Sequence, residues 1–128
     1  MIREDELASA AATGNAECVG ILLRDGVDVN AVNYFGRTPL QVMMMGSTAV
    51  SQLLLERGAN PNVPDRKTGT TPLHDAAREG FLDTVEMLIK FNADTNARDH
   101  RDCRPIDLAR ENGHRDVVAF LESFRLQQ

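Results

Sequence analysis

This 128-residue chain has little of what reactive, secreted or membrane-bound proteins need. It has no apolar run approaching the ~20 residues that span a bilayer. Its start, Met1-Ile2-Arg3-Glu4-Asp5-Glu6, lacks the apolar stretch of a secretory signal. Only two cysteines are present, Cys18 and Cys103, far apart in sequence, which fits free thiols in a reducing compartment better than a disulfide framework. Neither they nor His74, His100 and His114 form a Cys-x-x-Cys or His-x-x-x-His pair, so no metal site is expected. His100 and Cys103 share a loop, where solvated residues are far commoner than a catalytic pair. Glycine-rich phosphate loops and nucleophile elbows are missing as well. Positive charge is also scarce: 14 Lys and Arg against 19 Asp and Glu leave a net charge of −5, the wrong sign for a phosphate backbone or an anionic membrane. The expectation is a soluble intracellular protein without catalytic residues or cofactor that binds neither nucleic acid nor membrane.

What is present is repetition. Thr38-Pro39-Leu40, Thr71-Pro72-Leu73 and Arg104-Pro105-Ile106 recur at intervals of 33. Gly46, Gly80 and Gly113 close the segments that follow, with Gly14 closing an earlier one. A second series interleaves with the first: Gly26-Val27-Asp28-Val29-Asn30, Gly58-Ala59-Asn60-Pro61-Asn62 and Asn92-Ala93-Asp94-Thr95-Asn96, each after an apolar segment. The clearest copy runs from Thr70 to Phe81. Thr71 caps a helix start, Pro72 presets its first residue and Gly80 ends it, about two turns later. Ala76 and Ala77 leave room for a neighbouring helix, while Asp75, Arg78 and Glu79 are left to face water or a partner.

A period of 33 carrying Thr-Pro-Leu-His-x-Ala-Ala is the signature of the ankyrin repeat, which the chain resembles over almost its whole length. The fold implied is all-α with β-hairpin-like loops, a solenoid of four repeats at about 4–33, 34–66, 67–99 and 100–128 in one domain. The first unit lacks a Thr-Pro start and opens on the acidic run Glu4-Asp5-Glu6, as an N-terminal cap would. The last ends at Phe120 to Phe124 with no further hairpin signal and is expected to cap the other end. Asn92 and Asp102 stand at glycine positions, and both residue types tolerate left-handed backbone.

Repeat two breaks the pattern. From Thr38 to Gly46 is eight positions, whereas Thr71 to Gly80 and Arg104 to Gly113 are nine each. Removing one residue rotates the rest of a helix by ~100°, so roughly a single turn is expected, followed by Met43-Met44-Met45 in place of Ala-Ala. At least one of these methionines is expected in the core.

These features together resemble one family, the four-repeat ankyrin inhibitors of the D-type-cyclin-dependent kinases. The residues that carry the resemblance are Phe35-Gly36-Arg37, Gln41 through Gly46, His74 through Thr84 and Gly113 through Val117. It implies a monomer without catalytic chemistry that binds kinases 4 and 6 beside the ATP cleft, opposite the cyclin, and blocks cell-cycle progression. On the family pattern Asp75 pairs with a basic side chain of the kinase from an exposed concave face. Glu17, Asp65 and Asp83 add acidic contacts, and Phe35, Met44, Met45 and Phe81 add apolar ones. His74 is implied to be structural. A general ankyrin adaptor with an unrelated partner remains the alternative, because the fold alone permits it.

Overall fold

A computed structural model describes residues 3–126, with side chains for residues 5–124. Eight helices and no strands occur among the described residues: α1 (Arg3–Ala12), α2 (Ala16–Arg24), α3 (Pro39–Val42), α4 (Thr48–Glu56), α5 (Pro72–Glu79), α6 (Leu82–Lys90), α7 (Pro105–Glu111) and α8 (Arg115–Leu126). They pair in order into four helix hairpins. Each pair presents an apolar face too small to be stable alone, so the pairs stack. Leu7, Leu40, Leu73 and Ile106 from the first helices meet Val19, Val50, Val85 and Val117 from the second ones in one continuous core.

The helix starts follow the sequence signals. The Thr71 hydroxyl accepts from the His74 N–H, and the His74 ring accepts in return from the Thr71 N–H at 3.0 Å. His74 is fully buried, and its Nε2 donates to the Cys103 carbonyl at 2.8 Å, so the one imidazole closes its own helix and holds the next repeat's loop. In repeat two, Thr38 and Gln41 form the equivalent box, and Gln41 Nε2 donates to the Val63 carbonyl at 3.2 Å. Gly80 takes the left-handed conformation at φ 81°, and Asn92 and Asp102 do so at 74° and 65°.

The loops are tight turns that lean on one another. Asn33 N–H donates to the Arg37 carbonyl, Asp65 N–H to that of Thr70 and Asp99 N–H to that of Cys103, three copies of one hairpin-like closure. The asparagines of the second series explain themselves here. Asn30 donates to the Gly58 carbonyl and accepts from Asn60 N–H, while Asn62 does the same with the Asn92 carbonyl and Asp94 N–H. Each amide thus spans two repeats with both of its ends.

Repeat two deviates as the residue count implies. Helix α3 is one turn of four residues, and Met43 leaves it in extended backbone at φ −57°, ψ 154°. Gly46 does not close this helix in left-handed backbone as the other repeat-closing glycines do, a departure from the sequence expectation. The helix has already ended at Val42, and Gly46 is small for another reason: a Cβ there would lie 3.2 Å from the Phe81 ring. Because α3 is short, it packs on α1 but hardly reaches α5, whereas α5, with Ala76 and Ala77 fully buried, packs closely on α7. Among the helices the join between repeats two and three is left to α4 against α6, helped by the Thr84 hydroxyl, which donates to the Met45 carbonyl, and by the Asn62 bridge between the loops.

Candidate functional site

The gap between α3 and α5 is an open groove of about 500 Å3 lined by Gln41, Met43, Met44, Met45, Gly46, Asp75, Arg78, Glu79 and Phe81. It exists because the missing residue withdraws α3 from α5 and because Ala76 and Ala77 turn inward, leaving Asp75 and Arg78 on the groove side. One wall is apolar and the other charged.

The apolar wall divides the methionine triplet. Met43 and Met45 are buried, which corrects the expectation that Met45 lies open to a partner: Met45 sits in a turn closed by the Ser47 N–H on the Met44 carbonyl, and its side chain joins the core. Met44 between them is half exposed. Its N–H donates to the Ala11 carbonyl at 2.9 Å, and its side chain lies over Gly14. Phe81 is 41% exposed and lays its ring against Gly46.

The charged wall also differs from expectation. Asp75 is not freely exposed, because it sits at the groove floor with a side-chain exposure of 22% and pairs with Arg78 at 3.1 Å. Burial pushes its carboxyl above the ordinary range, against the opposing pull of Arg78 and of a hydrogen bond from Thr70. Asp65 has turned inward on its own loop. Its Oδ1 accepts from Lys67 N–H and Thr68 N–H, and Oδ2 accepts from Arg37 Nε at 2.9 Å. Partial burial raises its pKa, but the hydrogen bonds from Lys67, Arg37 and Thr68 outweigh it and hold the carboxyl below the ordinary range.

Of the remaining candidates, Glu17 is exposed in the first turn of α2, and Asp83 is exposed in the first turn of α6, in a recess adjoining Phe81 that also includes Asp116. Phe35 is 73% exposed at the first loop tip, edge to face with Tyr34 at 5.6 Å. The groove therefore gathers Met44, Asp75 and Phe81, with the buried Met45 behind them, while Glu17, Asp65, Asp83 and Phe35 lie outside its lining. Among the described residues the large exposed apolar ones are Ile21, Val32, Tyr34, Phe35, Met44 and Phe81, all in the first three repeats. Among the described residues no group of three or more His, Cys, Asp or Glu side chains could hold a metal ion, and no helix is long and apolar enough to cross a membrane.

The chain matches the ankyrin-repeat family over residues 6–65 and 46–124. It is 55% identical over 117 residues to cyclin-dependent kinase 4 inhibitor B of Rattus norvegicus, a match covering 91% of this chain and 90% of that protein. The human protein of the same name is 53% identical over 94% of this chain and 87% of its own. Human cyclin-dependent kinase inhibitor 2A is also 53% identical, over 93% of this chain and 76% of its own. The chain belongs to the ankyrin-repeat family of cyclin-dependent kinase inhibitors. Within that family framework, two features of this chain escape motif reading. Arg78 is part of the groove and grips Asp75, a pairing that the i, i+3 spacing on α5 could have signalled. Tyr34 is 90% exposed, and a loop-tip aromatic carries no periodic signal by which to find it.

Proposed function

We propose that the protein inhibits cyclin-dependent kinases 4 and 6 by docking its α3–α5 groove and first loop beside the ATP cleft, opposite the cyclin. The observation that carries this reading is the identity of more than half of the aligned residues, over nine-tenths of the chain, with proteins named as cyclin-dependent kinase 4 inhibitors. In this reading the four repeats, divided near Asn33, Arg66 and Asp99, act as one domain. Asp75 meets a basic side chain of the kinase, Met44 and Phe81 offer apolar surface on either side of it, and Phe35 with Tyr34 forms a second apolar anchor. Glu17 and Asp83 extend the acidic rim. Asp65 contributes by bracing its loop through Arg37, and Met45 contributes from the core. The protein works by occupying and distorting the kinase, in cytoplasm and nucleus, and carries out no reaction itself.

A half-buried carboxylate whose ion-pair partner is an exposed arginine suits this role. On docking, a kinase cation can join or replace Arg78, and the desolvation already imposed on Asp75 makes that new pair stronger than a surface one. The test is a pull-down of monomeric kinases 4 and 6 with purified protein, followed by kinase activity with the cyclin present. Capture and lost activity are expected. Binding of neither kinase would return the protein to the general adaptors.

A further inference from the structure

Three consecutive methionines in repeat two occupy two different environments. Met43 and Met45 are 3% and 7% exposed, whereas Met44 is 48% exposed and lines the groove. The backbone of Met44 is tied to α1 through the Ala11 carbonyl. Its sulfur rests against Gly14, 2.8 Å from where a Cβ at that position would lie. Met44 is therefore held at the groove wall by two fixed partners, with about half of the residue left open to solvent. A solvent-open thioether is oxidised by mild hydroperoxides to a sulfoxide, which turns an apolar side chain into a polar one and is reversed by sulfoxide reductases.

We propose that Met44 is a reversible oxidation site whose sulfoxide weakens the grip of this groove on its kinase. The inference rests on the functional reading above. In the forward step the sulfur lone pair takes the distal oxygen of a hydroperoxide. The sulfur–oxygen bond forms as the oxygen–oxygen bond breaks, sulfur is oxidised, and the peroxide is reduced to water or an alcohol after picking up a proton. In the reverse step the oxygen leaves as water while two thiols of a reductant become a disulfide. The new oxygen sits either against Gly14, displacing the side chain, or in the groove, where an apolar partner leaves it unsatisfied. Met43 and Met45 lie in the same stretch of backbone with their sulfurs out of reach, and so serve as internal controls.

The experiment treats the intact protein with dilute hydrogen peroxide and then dithiothreitol, which clears oxidised Cys18 and Cys103 but leaves sulfoxide. Peptide mass spectrometry then maps the added oxygen, and binding to monomeric kinase 4 is measured before and after. The added oxygen is expected at Met44 ahead of Met43, Met45 and Met87. Kinase affinity is expected to fall by roughly tenfold, the scale of one unsatisfied polar group in an apolar contact. Met44→Leu, which keeps an apolar side chain but has no sulfur, is expected to keep its own untreated affinity, whatever that is, through the same treatment. Equal oxidation of the three neighbouring methionines overturns the assignment of the site, and so does an equal loss of binding by treated Met44→Leu. If untreated protein does not bind the kinase, the functional reading falls with the inference, while the oxygen map still reports whether Met44 is the reactive thioether.

Discussion

Asp75 and Arg78 face each other at 3.1 Å across one turn of α5, and the carboxylate is the deeper of the two, with side-chain exposures of 22% and 43%. The pair keeps a charge in a place where burial disfavours it. Removing that charge should therefore cost the fold little. Asp75→Asn is expected to melt at or slightly above the parent temperature while losing kinase affinity, as read by circular dichroism and a titration with kinase 4. A melt lowered by several degrees would mean that Asp75 is chiefly a structural residue. Asp75→Lys differs, because it sets two cations side by side and is expected to lower the melt as well as the affinity.

The same burial sets a pH dependence. Since the folded carboxyl of Asp75 holds its proton more tightly than the unfolded one, protonation favours folding. Its stabilising contribution is complete below the ordinary value of 3.8 and is lost as pH rises through the raised folded value. Asp65 has the opposite sign. Its lowered pKa gives a contribution present above 3.8 and lost as pH falls through the folded value. As the medium is acidified the parent's melting temperature should thus fall relative to that of Asp65→Asn and rise relative to that of Asp75→Asn. Two gaps that change in parallel would contradict these environments.

Leu54 has no exposed surface and lies in α4, the helix that carries much of the join to repeat three. Leu54→Ala is expected to cost ~2–5 kcal/mol, a large share of the stability of a single small domain. Urea unfolding checks this directly. A midpoint equal to the parent's would mean that the core tolerates the void.

Two glycines at corresponding places should respond differently to the same added methyl group. At Gly80 alanine meets both a left-handed backbone, φ 81°, and the His114 ring 2.4 Å away, so a loss of roughly 1–3 kcal/mol or more is expected. At Gly46 the backbone is not left-handed, and the new Cβ meets only the edge of Phe81 at 3.2 Å. Gly46→Ala is expected to keep most of its stability but to tilt Phe81 and weaken kinase binding. Thermal melts paired with binding measurements on both variants separate the two cases.

Much of this was legible from residue order. The caps at Thr38 and Thr71, the left-handed Asn92 and Asp102, and the single turn at α3 all follow from local chemistry that needs no partner residue. The inward turn of Met45 and the depth of Asp75 do not. Both depend on how far α3 withdraws from α5, a distance between elements that no local pattern encodes. The role of Gly46 was hidden for a related reason, since its small size serves an aromatic ring from the next repeat rather than its own helix.

In a stack whose stability is a sum over neighbours, the thinnest junction decides where cooperativity fails first. Among the helices that junction is the one between α3 and α5, bridged mainly on its far side by α4 and α6 and by Thr84 on Met45. The missing residue that opens the groove therefore also draws the molecule's fracture line. Amide exchange that reports sub-global opening should show the first two repeats and the last two protected as separate blocks, with a bound partner fusing them into one.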